Sequence, residues 1–307
     1  MLPDRLYRAL SAFNHSTQRW AAIPLHGPLA QRPSLPPRDV DKQRLSLVSW
    51  NVDAFHSRPA ARSKLILKHI LEGPKPPGIK SGLAFGTLSS ATDAEDNTSF
   101  DDVPFATMTL LSNKCFASDS DPQEGGDGVE GGRKLMPESV FRMPLASKYG
   151  RDVLCVDIAA PAPAAPGTVL RLLNVHLDSL DSLLWRTQQM EILAGVLREP
   201  GCGGGLIAGD FNAITPEDDG LVDKNELVDA WVALHGRTGP NGVTWGVGVE
   251  LKNGLKPGRL DKVAMLGLKA EEMEVLQLGL IHVPRPAGPP LDSPWSDHCG
   301  LRCTFTI

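Results

Sequence analysis

Four short polar motifs hold the side chains from which this chain could assemble a reaction centre. They are Trp50-Asn51-Val52-Asp53, Asn174-Val175-His176-Leu177-Asp178-Ser179, Gly209-Asp210-Phe211-Asn212 and Ser296-Asp297-His298. Carboxylates hold hard cations through oxygen, amides position water or an anionic oxygen, and a histidine fixed by a carboxylate donates to charge growing in a transition state. Those parts suffice to hydrolyse a phosphodiester near neutral pH, which needs a divalent cation on the phosphoryl oxygens, a base or orienter for water, and donors for the charge at phosphorus. Singly, each motif is weak. A lone Gly-Asp-x-Asn is more often a turn whose Asp and Asn bond their own backbone, and a lone histidine such as His176 is more often a satisfied core residue. Four in one chain, each at the end of a predicted strand, point to a site.

The elements that would hold them follow from the apolar pattern. Arg44 to Trp50 reads as a strand that stops at Asn51, and further strands are predicted at Ala106–Leu111, Val153–Ala159, Val169–Val175, Leu206–Ala208, Leu260–Leu266 and Leu301–Ile307. Helices are predicted at Ala60–Leu71, with Leu65, Ile66, Ile70 and Leu71 on its apolar face, and at Asp181–Arg198, with Leu184, Gln188, Ile192 and Val196 in line; a third is Glu226–Leu234. Pro161 to Gly167 reads as a hairpin loop. Strands interleaved with helices predict an α/β class, a four-layer sandwich of two mixed β-sheets flanked by helices, spanning residues 44–307. Residues 1–43 are a Pro-containing lead-in, in which Phe13 to Ile23 forms an edge hairpin, and the Gly, Asp, Ser and Glu stretch at 117–134 reads as a disordered insertion.

Composition narrows the partners. A net charge of -5 excludes a broad basic face for nonspecific nucleic-acid binding, so any polyanion must meet a local groove. The five cysteines show no Cys-x-x-Cys pair, which suggests neither a disulfide framework nor a zinc site and fits a reducing intracellular compartment, nucleus or cytoplasm. No run reaches the roughly 18 apolar residues of a membrane span. Arg5, Arg8, Arg19, Arg32 and Arg38 against the lone acid Asp4 give the first 38 residues a faint transit-peptide character, which keeps the mitochondrion open.

The ordered set Trp50-Asn51, His176-Leu177, Gly209-Asp210-x-Asn212, Arg259-Leu260-Asp261 and Ser296-Asp297-His298 resembles the endonuclease/exonuclease/phosphatase superfamily. Within it the chain is most similar to the type 2 tyrosyl-DNA phosphodiesterases, through Asp53, the acid and Ser179 after His176-Leu177, an Arg186-x-Gln188 helix and Trp245. The resemblance implies a Mg²⁺- or Mn²⁺-dependent hydrolase, a monomer acting on a DNA end or another phosphodiester. Asp210 would orient the attacking water and, with Asp53, meet the metal. Asn212 would help hold the water; Asn51, His176 and His298 would contact the phosphate. Asp261 would orient His298, and Asp297 would stand beside the reaction centre. Of the substrate-binding candidates, Ser179 follows the histidine, Trp245 would be a groove wall or a core anchor, and Arg259 would meet phosphate or pair with an acid. Abasic-site nucleases, deadenylases, sphingomyelinases and phosphoinositide phosphatases use nearly the same set.

Two departures stand out. The family's second motif, a strand ending in Leu-Gln-Glu whose glutamate is the principal metal ligand, should lie between Gly73 and Ala106, where Ser81-Gly82-Leu83-Ala84-Phe85-Gly86 supplies no acid. The expectation is a fold lacking one internal strand, as if a short segment had been lost after about Ile79, and either weakened metal binding or a catalytically impaired binding module. Asp181 and Ile214 also stand where the tyrosyl-DNA enzymes carry arginines, which predicts a poorer basic groove.

Overall fold

The run Val153 to Ile158, apolar but for Asp157, is buried along its whole length, so both faces of its strand must be covered. A computed structural model of the chain shows how. It describes residues 3–14, 16–17, 19–23, 25, 44–52, 57–72, 85–87, 107–112, 114–117, 134–161, 163–237, 242–251, 254–285 and 288–307. In chain order the strands are β1 (Leu6–Tyr7), β2 (Leu10–Asn14), β3 (Arg19–Ile23), β4 (Arg44–Ser49), β5 (Phe85–Thr87), β6 (Thr109–Leu111), β7 (Pro137–Pro144), β8 (Asp152–Ala159), β9 (Val169–His176), β10 (Cys202–Asp210), β11 (Val228–Asp229), β12 (Asp261–Leu266), β13 (Lys269–Leu276), β14 (Leu280–Val283), β15 (Leu291–Pro294) and β16 (Gly300–Thr306). The helices are α1 (Pro59–Glu72), α2 (Leu183–Leu197), α3 (Pro216–Asp219), α4 (Leu221–Lys224) and α5 (Ala230–His235).

The central sheet has seven strands in the order β1-β7-β8-β9-β10-β12-β11. Among the described residues of this sheet only β9 and β10 run parallel, and a parallel pair needs a crossover, which α2 supplies. Met190, Leu193, Ala194 and Leu197 of α2 cover one face, against Phe141, Cys155, Leu173 and Ile207. On the other face Leu154, Val156, Leu206 and Val263 meet Leu45, Leu301, Cys303 and Phe305 of the three-stranded sheet β13-β16-β4. This is the predicted α/β sandwich. Its second layer is divided: β4 ends the three-stranded sheet, while β6 ends a separate four-stranded sheet, β3-β2-β5-β6. Between 73 and 106 only β5 is described, so the expected Leu-Gln-Glu strand and its missing glutamate fall outside the described residues, as does nearly all of 117–134.

Several expectations need correcting in detail. The buried residues of α2 are Arg186, Gln189, Met190, Leu193, Ala194, Val196 and Leu197; of the predicted line Val196 is buried, Gln188 and Ile192 are half-buried and Leu184 is 68% exposed. In α1 only Arg62 and Ile66 are buried. Glu226–Leu234 divides into a short strand, β11, and α5. The hairpin β2-β3 forms as expected, and β1 adds an edge strand to the central sheet.

Strand β10 reaches four residues further back than its apolar core suggests, because its glycines permit a close approach to β9. A Cβ on Gly209, whose φ is +140°, would sit 1.9 Å from the Val175 carbonyl oxygen. The glycine of Gly-Asp-x-Asn thus lets β10 lie against β9 and brings Asp210 into register with His176. Gly209→Ala is expected to lower stability by about 3 kcal/mol through overpacking and a strained φ, read as a fall in denaturant midpoint at constant slope.

Candidate active site

The site lies at the ends of β4, β9, β10 and β12 and just before β16. His176 and Asp210 end the parallel strands and pair in register, and Asp210 pairs across β10–β12 with Asp261. Asn51 follows β4. Residues from five parts of the sequence thus meet at one point: ladder hydrogen bonds hold His176, Asp210 and Asp261, while Asn51 and His298 lie just outside β4 and β16.

Asp210 is the hub. It is 5% exposed. Its Oδ2 accepts from Asn51 Nδ2 at 3.0 Å and lies 3.5 Å from His176 Nε2 and 3.7 Å from His298 Nε2. Its Oδ1 accepts from the backbone N–H of Asn212 at 2.8 Å. Asn212 takes a positive φ of 48°, and its side-chain amide donates to the Leu177 carbonyl at 2.9 Å. That bond ties the loops after β9 and β10 together, which makes Asn212 a positioning residue for Asp210 and His176.

His298 is fixed on every side. Its Nδ1–H donates to Asp261 Oδ2 at 2.7 Å, its backbone N–H donates to Ser296 Oγ at 3.1 Å, and Trp50 Nε1 donates to its carbonyl at 2.8 Å. Ser296 Oγ in turn donates to the Asn51 carbonyl at 2.7 Å, joining two of the motifs directly. Burial disfavours charge on the ring, but Asp261, Asp210 and Asp297 together push its pKa up to about 9. Asp261 is buried, which by itself pushes its pKa up, and the imidazolium opposes this. The pair therefore holds its proton on the imidazole at neutral pH.

His176 is the opposite case. Burial above all, with Arg151 and His298 as cationic neighbours, brings its pKa down to about 4 against the pull of Asp210. Asp210 thus stands between one charged and one neutral imidazole, and such divergent environments separate acid from base roles.

Arg151 is the residue that sequence reasoning missed. It is 4% exposed, and its Nη2 donates to His176 Nε2 at 3.3 Å, which makes that nitrogen the acceptor. Its pKa is lowered by burial despite Asp178 and Asp210, yet a guanidinium stays charged. The sequence signal was only a basic residue closing the Ser147–Arg151 turn before a buried strand. Arg151→Met is expected to raise the titration midpoint of His176 from about 4 toward the ordinary 6.5. Imidazole NMR in EDTA would follow it, and an unmoved midpoint would assign the shift to burial and His298.

The remaining candidates separate. Asp297 accepts from Trp245 Nε1 at 3.0 Å and its other oxygen is 4.0 Å from His298 Nε2, so Trp245 positions Asp297 and is half-buried. Arg259 pairs with Asp229 at 2.8 Å, the acid that caps α5; of its two predicted roles it takes the ion pair. Ser179 is half-buried in the loop after Asp178, a buried acid that accepts from the Lys148 N–H at 2.7 Å and from Ser147 Oγ. Behind them Arg186 is fully buried, and the glutamine in the loop network is Gln189 rather than Gln188: Gln189 Oε1 accepts from the Asp178 N–H at 3.1 Å. Asp53 lies outside the described residues.

Asp210, Asp261 and His298 offer ligand atoms within 4.8 Å of one another, a buried group that could hold a metal ion. Their chemistry decides how. Asp261 and His298 share a proton, and an imidazolium has no lone pair for a metal. Mg²⁺ takes one or two carboxylates and completes its shell with water and substrate phosphate. Among these three, Asp210 is the residue that fits a hard cation, and the dyad is better suited to donate a proton.

The fold is similar to those of solved TDP2 structures and of an endonuclease/exonuclease/phosphatase family protein. Among solved structures, D. rerio TDP2 in complex with a single-strand DNA product is 16% identical, covers 86% of this chain and 99% of its own, and superposes with a TM-score of 0.50. Truncated Caenorhabditis elegans TDP2 is 18% identical, with 86% and 98% covered and a TM-score of 0.54. An endonuclease/exonuclease/phosphatase family protein from Bacteroides thetaiotaomicron is 13% identical, with the same coverage and a TM-score of 0.51. No family model and no curated protein matches the chain by sequence. At these identities the likeness establishes the fold, and function must be argued from the site.

Proposed function

We propose that this chain hydrolyses phosphodiesters, with the 5′-tyrosyl end of single-stranded DNA as the first substrate to test. The observation that carries the reading is Asp210 Oδ2 set between Asn51 and two histidines of opposite charge state. Asp210 orients a water for attack on phosphorus. Asn51 and Arg151 are placed to donate to the non-bridging oxygens, and charged His298, steadied by Asp261, gives a proton to the developing charge. A Mg²⁺ or Mn²⁺ ion, when bound, would be held by Asp210 and by substrate phosphate, with Asp53 as a further ligand, and would polarise the phosphoryl oxygens. The chain would act as an intracellular monomer. Among the described residues no helix is long and apolar enough to cross a membrane.

The test is hydrolysis of bis(p-nitrophenyl) phosphate and of a 5′-tyrosyl oligonucleotide, each with Mg²⁺ and with EDTA. Release that needs the cation is the expected result. A folded protein that binds the oligonucleotide and turns over neither compound would instead be a binding module.

A further inference from the structure

The loops that leave β9 and β10, joined to each other at the edge of the polar site, each expose an apolar side chain: Leu180 is 67% and Ile214 50% exposed. Trp185, in the first turn of α2, is 36% exposed. Single exposed apolar side chains need no explanation, whereas a rim of them on linked loops at a polar site does.

The two loops are joined through one ion pair. Arg186, fully buried in α2, donates to the carbonyls of Leu180 and Asp178, both at 2.9 Å. It pairs with Asp218 at 2.7 Å, and Asp218 Oδ2 accepts from the N–H of Ile214 at 3.2 Å. Leu180 and Ile214 are thus each one backbone hydrogen bond from the same pair. The rim is also continuous with the site, because the Leu177 N–H donates to the Asp210 carbonyl at 2.9 Å. Leu180 holds a φ of 60°, a conformation that costs a bulky residue energy, and it does so with its side chain in solvent.

Charge argues in the same direction. Residues 177–185 and 211–215 contain neither lysine nor arginine, and Asp181 among them is exposed. Lys148 is an exposed cation on the adjoining loop, its ammonium over the Tyr149 ring at 5.4 Å. A polynucleotide presents a phosphate at every step and is gripped through cations. An apolar rim with an acid in it would repel the second phosphate, yet it suits an uncharged group.

We infer that this rim is a subsite for an apolar substituent of the phosphodiester. The substrate class is then a singly charged phosphodiester in which one ester group is an uncharged, apolar alkyl or aryl chain. Water adds to phosphorus, one P–O ester bond breaks, and the departing alcohol takes a proton. The inference rests on the phosphodiesterase reading but not on a DNA end.

Two chromogenic esters with the same leaving group test it: p-nitrophenyl hexyl phosphate, and the 5′-p-nitrophenyl ester of a thymidylate hexamer, both with Mg²⁺. The expected kcat/KM favours the hexyl ester by about ten-fold or more. In Leu180→Arg, in Ile214→Arg and in the double variant the ratio should shift toward the hexamer, by about twenty-fold in the double variant. A wild-type preference for the hexamer, or a ratio these variants leave unmoved, overturns the rim and leaves the phosphodiesterase reading standing. Release from neither ester by folded wild-type protein overturns both.

Discussion

Asp210→Asn will lower kcat for phosphodiester hydrolysis by about 10³-fold while the protein still unfolds cooperatively near the wild-type temperature. The replacement keeps the volume of the side chain and an oxygen for the Asn212 N–H, which now donates to Oδ1 at 2.8 Å. It removes the anion that receives the Asn51 amide and faces both imidazoles. Positioned acid–base groups contribute roughly 10² to 10⁴ in rate, and the same anion is the carboxylate fitted to a hard cation, so two losses fall on one substitution. Thermal unfolding by two probes checks that the fold survives. If kcat stays within about ten-fold of wild type, Asp210 is not the hub of the chemistry.

The same residue shows what was legible in the sequence. Its neighbours could be named in advance because a strand end fixes direction: Asn51, His176, Asp210, Asp261 and His298 all sit at or within three residues of an end of a predicted strand, and the register of β9, β10 and β12 brings three of them level. Arg151 could not be named, since its place depends on how a turn folds back over Asp178. Burial on both faces made β8 plain. Strand β7 was hidden by Glu138, Arg142 and two prolines, although Arg142 is buried in the fold because Asp152 neutralises it at 2.7 Å. In α2 hydropathy missed part of the buried face for the same reason: Arg186 and Gln189 face inward to bind loop carbonyls and an N–H, and no apolar scale ranks them as core. The glycines before Leu206 fell outside the predicted strand, whereas Gly205, like Gly209, is needed for backbone contact with β9. Polar residues used as internal partners were thus the main obstacle.

Asp261→Asn will separate the proton on His298 from the fold that holds it. In wild type the folded-state pKa of about 9 lies above the ordinary 6.5, so charged His298 contributes stability that is complete below about pH 6.5 and lost as pH rises through about 9. The carboxylate at 2.7 Å is the strongest attractive influence, with Asp210 and Asp297 behind it. Without it, burial should bring the imidazole pKa back toward or below 6.5, and the fall in stability between pH 6.5 and 9 should flatten when denaturant midpoints are measured in EDTA. His176, held at about 4, works in the other direction: the unfolded chain takes up its proton first, so stability rises with pH from about 4 to about 6.5, and this limb should persist in the variant. Activity should follow the first limb. At pH 7.5 the asparagine variant presents a neutral imidazole where the phosphate develops charge, and kcat should fall by about 10²-fold or more with little change in KM. Lowering the pH should recover part of that rate as the ring protonates, a recovery absent from His298→Ala. A merely structural Asp261 would instead reduce stability at every pH and leave the shape of both profiles unchanged.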